Sequence, residues 1–349
     1  MASRRIDVIL EAMQDMHGRD DDIETEKETT HSLLLREPLS SPCFITGHSP
    51  AIETLRQKIC KIAAFTFPVL IVGETGSGKE LVARQLHAKS SAAESPFIAV
   101  NCGAITESLL ISELFGYMKS SFTGARNDKA GIFLSAGKGT VFLDEIEAAP
   151  LSFQAALLRV IENREFLPVG AVRPVRFTGR IVAASNADLL DLCKKGGFRK
   201  DLYYRLSTVY INIPPLRQRP EDIPDIIKDF LSTNRLQSEE KIIFTDAAIR
   251  ALCEYHWPGN VRELQNVIIQ CLLESEHEII DEKVVRKYIV PPHGSAHVAH
   301  TLSLREIEKK TVVDALKKCH GNKAKAAEIM GVCRSTLYSL LKKHQIHEL

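Results

Sequence analysis

A parallel α/β sheet covered by helices on both faces, then a small helical domain, then a three-helix C-terminal unit is the fold class this sequence predicts. Three observations carry it. Five short strand candidates, largely apolar, at 69–72, 97–100, 140–143, 181–185 and 210–213, are separated by segments long enough for helical crossovers, the pattern of a parallel sheet covered on both faces. The first run opens through a glycine-rich loop into a helical stripe, VLIVGETGSGKELVARQL at 69–86. After Pro214 and Pro215 the periodicity turns helical, with segments at 223–231, 245–256, 259–275 and 281–288.

At 349 residues, 44% hydrophobic and 26% charged, the chain has room for two or three domains and an ordinary globular composition. No apolar run approaches membrane-spanning length, and Asp7 and Glu11 interrupt Ile6, Ile9 and Leu10 where a signal peptide would be uninterrupted. A cytoplasmic protein with no membrane partner is therefore expected. Eight cysteines lie scattered from Cys43 to Cys333 without metal or disulfide spacing, so they read as reduced thiols. The net charge of +1 hides an asymmetry: residues 1–40 hold five Lys and Arg against ten Asp and Glu, and residues 303–349 hold ten against five. The basic end is the part suited to nucleic acid.

Taken in order, residues 1–42 make a tail too short for a sensory domain of roughly 100 residues. Ile6, Ile9, Leu10 and Met13 fit one amphipathic helix there. Residues 43–215 carry the α/β pattern. Within them Gly73, Glu74, Thr75, Gly76, Ser77, Gly78, Lys79 and Glu80 form a phosphate cradle. Its glycines let backbone N–H groups turn inward on phosphate oxygens, the helix N-terminus adds partial positive charge, and Lys79 reaches for the terminal phosphates. Glu80 stands where a magnesium-binding Ser or Thr is usual. The stretch GTVFLDEI, 139–146, is a strand ending in two carboxylates: Asp144 to hold Mg²⁺ directly or through water, and Glu145 to polarise the attacking water. Acids at strand ends are common, but with Lys79 upstream they point to ATP hydrolysis.

The helical part spans 216–290, with Asp246 expected to cap one of its helices. Residues 291–302, which include the whole of PPHGSAHVAH at 291–300, have a linker's composition. In 303–349, Leu304, Ile307, Val312 and Leu316 form one helical stripe, Asn322 caps a second helix, and Gly331 turns into a third at 334–344. Two short helices joined at a glycine make a helix-turn-helix whose second member enters the major groove. Arg334, Ser335, Thr336, Tyr338 and Ser339 are placed to reach bases or phosphates, and Lys342 and Lys343 to meet the DNA backbone.

These motifs, in this order, resemble the bacterial sigma-54-dependent transcription activators, the NtrC-type enhancer-binding branch of the AAA+ ATPases, from about Phe44 to the C-terminus. GETGSGKE with its final glutamate is that family's form of the loop. The resemblance implies a P-loop AAA+ sheet, a helical lid and a Fis-type helix-turn-helix. It implies further that Asn101 couples the state of Glu145 to the nucleotide, and that Asn186, at the end of AASN, reads the γ-phosphate. Arg199 and Arg205 in FRKDLYYRL would be donated across a subunit boundary, and Arg262 in WPGNVRELQN would contact nucleotide from its own subunit. Such arginines act only in an oligomer, here expected as a hexameric ring using ATP and Mg²⁺.

The family grips its sigma factor with a GAFTGA loop, which reads Ser120-Ser121-Phe122-Thr123-Gly124-Ala125 in this chain. Phe122, Thr123 and Gly124 keep the contact chemistry. Serine takes positive φ less freely than glycine, so the rising arm has fewer conformations. The function expected is an ATP-hydrolysing regulator that binds an upstream activating sequence and remodels sigma-54 RNA polymerase. The rival is a nucleotide-dependent DNA-binding regulator of TyrR type that works without sigma-54.

Overall fold

The computed structural model describes residues 45–121, 127–233, 242–274, 279–289 and 323. The expectations for the 1–42 tail, for Phe122, Thr123 and Gly124, for the 291–302 linker and for the DNA-facing residues from Arg334 to Lys343 lie outside the described residues. The chain divides into two units, Met1–Ile289 and Val290–Leu349, and the sheet, the helical lid and the glycine-rich loop all belong to the first.

Strands β1 (Val69–Val72), β2 (Phe97–Asn101), β3 (Thr140–Asp144), β4 (Arg180–Ser185) and β5 (Val209–Asn212) pair in the order β2-β3-β4-β1-β5, all parallel. The strand positions follow the apolar runs because both faces of the sheet are covered. Val69, Ile71, Phe142, Val182 and Ala184 share one core with α1 (Pro50–Ala63) and α2 (Lys79–Ala88). Their alternating neighbours Leu70, Val141, Leu143, Ile181 and Ala183 share the other with α3 (Glu107–Phe115) and α4 (Leu151–Asn163). Two short helices, α5 (Leu189–Lys194) and α6 (Lys200–Leu206), complete that second layer. The fifth strand begins one residue earlier than the expected 210–213. Ile213 still donates its N–H to the Val72 carbonyl at 2.8 Å, and Pro214, with no N–H to give, ends the pairing.

The lid consists of α7 (Ile223–Thr233), α8 (Asp246–Glu254), α9 (Asn260–Glu274) and α10 (Glu282–Ile289). Its core closes around Trp257, which is fully buried, donates Nε1–H to the Leu252 carbonyl at 2.8 Å and meets the Tyr255 ring edge-on. The cap of α8 differs from expectation. Thr245, not Asp246, accepts the orphan N–H of Ala248 at 3.2 Å, because its backbone is extended (φ −66°, ψ 156°) as a cap requires. Asp246 instead opens the first turn, where its charge meets the positive end of the helix dipole.

Lid and sheet are fastened by buried polar contacts. Asp222, fully buried, accepts the backbone N–H groups of His48 and Ser49 and the Ser49 hydroxyl, each at 2.7 Å. Gly47, at φ 129°, leaves room for that carboxylate, since a Cβ there would lie 2.4 Å from Asp222 Cγ. Among the described residues no helix is long and apolar enough to cross a membrane, and no cluster of three metal-ligating side chains occurs. Cys102 and Cys271 are buried, and burial pushes both thiols up to about 12. Both shifts favour the protonated thiol over the reactive thiolate at neutral pH.

Candidate nucleotide site

At the carboxyl edge of a parallel sheet the backbone leaves each strand toward a crevice, and the loops after β1, β3 and β4 meet there. Gly76 and Gly78 have left-handed φ of 74° and 98°, and the space above Gly78 is open. Ser77 Oγ is buried and has no partner among the described residues. An unpaired buried hydroxyl inside a glycine cradle suits a phosphate oxygen, so the residues present fit a nucleotide. Lys79 is also buried, and its Nζ donates to the carbonyls of Gly73 (3.0 Å) and Glu74 (3.3 Å), within the loop itself. Burial lowers its pKa, opposed by the carboxylates of Asp144, Glu147 and Glu145.

The loop is clasped by the lid, a feature that sequence reading missed. Glu74 accepts two hydrogen bonds from Arg217, at 2.8 and 2.6 Å, and a third from Asn260 Nδ2 at 3.1 Å. Arg217 and then Asn260 hold this carboxyl below the usual range. Asn260 also donates to the Thr75 carbonyl, while its own Oδ1 accepts the N–H of Leu216 at 2.8 Å. The N–H of Val261 reaches the Gly76 carbonyl at 3.0 Å, and a Cβ on Gly76 would lie 2.2 Å from the Gly259 carbonyl. Gly76 is thus required twice, for its φ and for the close approach of the lid. Arg262 stands over the same spot, its Cβ 3.1 Å from where a Gly76 Cβ would be. Buried Arg219 adds a bond to the Ser77 carbonyl at 3.3 Å.

Asp144 ends β3 and accepts the N–H of Glu145 at 3.0 Å. Burial raises its pKa, and that hydrogen bond and Lys79 lower it. Its free carboxylate capacity, with Lys79 near, fits a hydrated Mg²⁺ ion. Glu80, by contrast, is held by Arg84, one turn along α2, at 2.9 Å. Glu145 sits at φ 51°, a left-handed conformation that is costly for a side-chain-bearing residue and turns its carboxylate over Gly103. Asn101 Oδ1 accepts the Gly103 N–H at 2.8 Å, so Asn101 and Glu145 meet at one glycine, although no direct hydrogen bond joins them. Asn186 donates Nδ2–H to Thr75 Oγ1 at 3.3 Å, bringing the end of β4 onto the loop.

Arg199 and Arg205 lie elsewhere on the same subunit. Arg199 makes a two-pronged pair with Asp201 (3.1 and 2.7 Å), Arg205 pairs with Glu162 (2.8 Å), and among the described contacts neither touches the loop. A buried glutamine that sequence reading also missed sets the first of them. Gln154 accepts the Arg199 N–H at 2.8 Å and donates to the carbonyls of Ala149 and Gly197. It ties the arginine segment to the chain just beyond Glu145.

Ser120, where the resemblance places glycine, has φ 66°. The short strand before it, Gly116–Tyr117, is braced by Val169: the Met118 N–H donates to the Val169 carbonyl and the Val169 N–H to the Gly116 carbonyl, both at 2.9 Å. Left-handed backbone costs an L-residue about 1–2 kcal/mol, and glycine gives back about 0.5–1 kcal/mol through the unfolded chain. Ser120→Gly should therefore leave stability unchanged or raise it by up to about 1.5 kcal/mol, read as the midpoint of denaturant unfolding. A clear fall would mean that the serine side chain contributes something the backbone does not explain.

Comparison with known families and proteins gives concordant matches. A sigma-54 interaction domain model matches residues 45–212, an AAA+ ATPase lid domain model residues 217–301, and a model of bacterial regulatory proteins of the Fis family residues 303–344. The transcriptional regulatory protein ZraR of Klebsiella oxytoca is 41% identical over 307 residues, covering 86% of this chain and 68% of that protein. The regulatory protein AtoC of Escherichia coli (strain K12) is 39% identical over 312 residues, covering 86% and 68%. Among solved structures, NtrX from Brucella abortus in complex with ATP superposes with a TM-score of 0.64 at 30% identity, covering 87% of this chain and 70% of that one.

Proposed function

Because the chain belongs to the sigma-54-dependent transcriptional activators, AAA+ proteins with a Fis-type domain, we propose that it binds DNA and hydrolyses ATP to remodel sigma-54 RNA polymerase. The observation that carries the catalytic part is the convergence of Lys79, Asp144 and Glu145 on a glycine cradle clasped by the lid. In this reading Gly73 to Glu80 cradle the phosphates, Lys79 neutralises the terminal ones, and Asp144 holds Mg²⁺. The metal, when bound, supplies charge neutralisation at the transferring phosphate. Glu145 polarises the water, Asn101 sets its orientation through Gly103, and Asn186 senses the terminal phosphate beside Thr75. Arg262 contacts nucleotide of its own subunit, whereas Arg199 and Arg205 reach a neighbour's site in a hexameric ring.

The domain limits proposed are 43–215 for the ATPase sheet, 216–290 for the lid and 303–349 for the DNA reader, joined by a linker at 291–302. Residues 1–42 are proposed as a tail, and the protein is proposed to work in the cytoplasm. Phe122 offers an apolar face, and Thr123 a hydroxyl and a methyl, to the sigma factor, with Gly124 beside them. The family matches favour this reading over a regulator independent of sigma-54.

The test is transcription from one operator-bearing template with each holoenzyme. The unmodified protein should form open complexes with sigma-54 polymerase, and Thr123→Ala should lose them while keeping ATPase activity. A protein that hydrolyses ATP and binds its operator, yet opens no sigma-54 promoter and alters output from the major holoenzyme, would establish the rival.

A further inference from the structure

Two residues beyond Glu145 the chain carries a third acid with no role in the reading above. Glu147 lies on the short turn Ile146–Ala148, which the left-handed Glu145 directs back toward the carboxyl edge of the sheet. Its Oε1 accepts the backbone N–H of Asn186 at 3.2 Å. Its Oε2 is buried and has no partner among the described residues. Asn186 in turn donates to Thr75 Oγ1, so Glu147 stands one residue away from the tip of the phosphate loop. Its carboxylate, like those of Asp144 and Glu145, favours the charged form of Lys79.

A neutral amide would also accept the Asn186 N–H, though less strongly than a carboxylate. Holding Asn186 therefore explains one oxygen of Glu147 and leaves its charge, and its buried unpaired oxygen, without a structural purpose. A fixed negative charge that acts on the phosphate-binding ammonium also acts on the phosphates, and it acts more strongly on the nucleotide with more negative charge.

We propose that Glu147 determines nucleotide selectivity by charge: it disfavours ATP relative to ADP and makes ATP binding depend on an accompanying divalent cation. ATP carries an additional negative charge over ADP, and Mg²⁺ bound to the phosphates cancels it. Glu147 thereby admits ATP as its magnesium complex and sensitises the site to the ratio of ATP to ADP. This rests on the assignment of the glycine loop to nucleotide.

The experiment is calorimetric titration of the full chain with a non-hydrolysable ATP analogue and with ADP, in Mg²⁺ and in chelator. For Glu147→Gln in chelator, affinity for the ATP analogue relative to ADP should rise about five- to tenfold, and the enhancement by Mg²⁺ should shrink by a similar factor. Glu147→Ala, which also removes the acceptor for Asn186, should shift the ratio equally. If Glu147→Gln leaves the ratio and the Mg²⁺ enhancement as in the unmodified protein, the proposal is wrong. A shift in Glu147→Ala alone also overturns it, since Glu147 would then act only by placing Asn186. Should the unmodified protein bind neither nucleotide, the assignment of the loop fails first and this inference falls with it.

Discussion

Glu145→Ala should retain nucleotide and lower phosphate release by about 10²–10⁴-fold, the range over which a positioned general base contributes. Lys79→Ala should lose the nucleotide altogether. The two residues occupy different parts of the same crevice, and the separation of the defects follows from that. Lys79 is the loop's own cation, buried against the carbonyls of Gly73 and Glu74. Its removal leaves a cradle of backbone dipoles with three carboxylates opposite, an arrangement that repels phosphate. Glu145 is attached to the end of β3 and turned over Gly103 by its left-handed backbone. Alanine at that position removes the carboxylate without touching the loop or its bonds to the lid. Equilibrium binding and phosphate release, measured on both variants, distinguish the roles. Unchanged turnover in Glu145→Ala would take that residue out of the chemistry.

How much of this could be read from sequence differs between the fold and the site. The central strands were legible because they are buried on both faces, which makes them nearly continuous apolar runs such as Val69–Val72 or the stretch Ile181 to Ala184 within Arg180–Ser185. The one-residue shift at Val209–Asn212 and the cap at Thr245 in place of Asp246 depend on local backbone angles, to which composition is blind. The cradle, Lys79 and the acids of β3 were legible because they are contiguous and have a fixed relation to a strand end. The clasp of Glu74 by Arg217 and Asn260 joins residues 143 and 186 positions apart. No local spacing announces it. Gln154 is hidden for the same reason, since a glutamine inside an apolar helix gives no sign that its amide holds the backbone of Arg199, 45 positions on. Glu147 was overlooked because it follows two acids whose roles the pattern already explained.

Arg199→Ala and Arg205→Ala should lower turnover by about 10³–10⁵-fold, as expected for arginines that stabilise a transferring phosphate, with much smaller changes in nucleotide affinity. Both guanidinium groups pair with exposed carboxylates of their own chain, Asp201 and Glu162. Exposed pairs of this kind contribute little to stability and are easily surrendered to a more highly charged partner. The backbone beneath Arg199 is fixed by Gln154, so the side chain can change partners while its base stays in place. Among the described contacts neither arginine touches the loop of its own subunit, as the proposal that they meet a neighbour's phosphate requires. The rate of hydrolysis per subunit should therefore rise with protein concentration, in step with assembly seen by sizing. Lysine at either position should not restore the rate, because an ammonium lacks the planar fork that grips two phosphate oxygens. A rate per subunit that stays flat across the range of assembly would show that each site is complete within one chain.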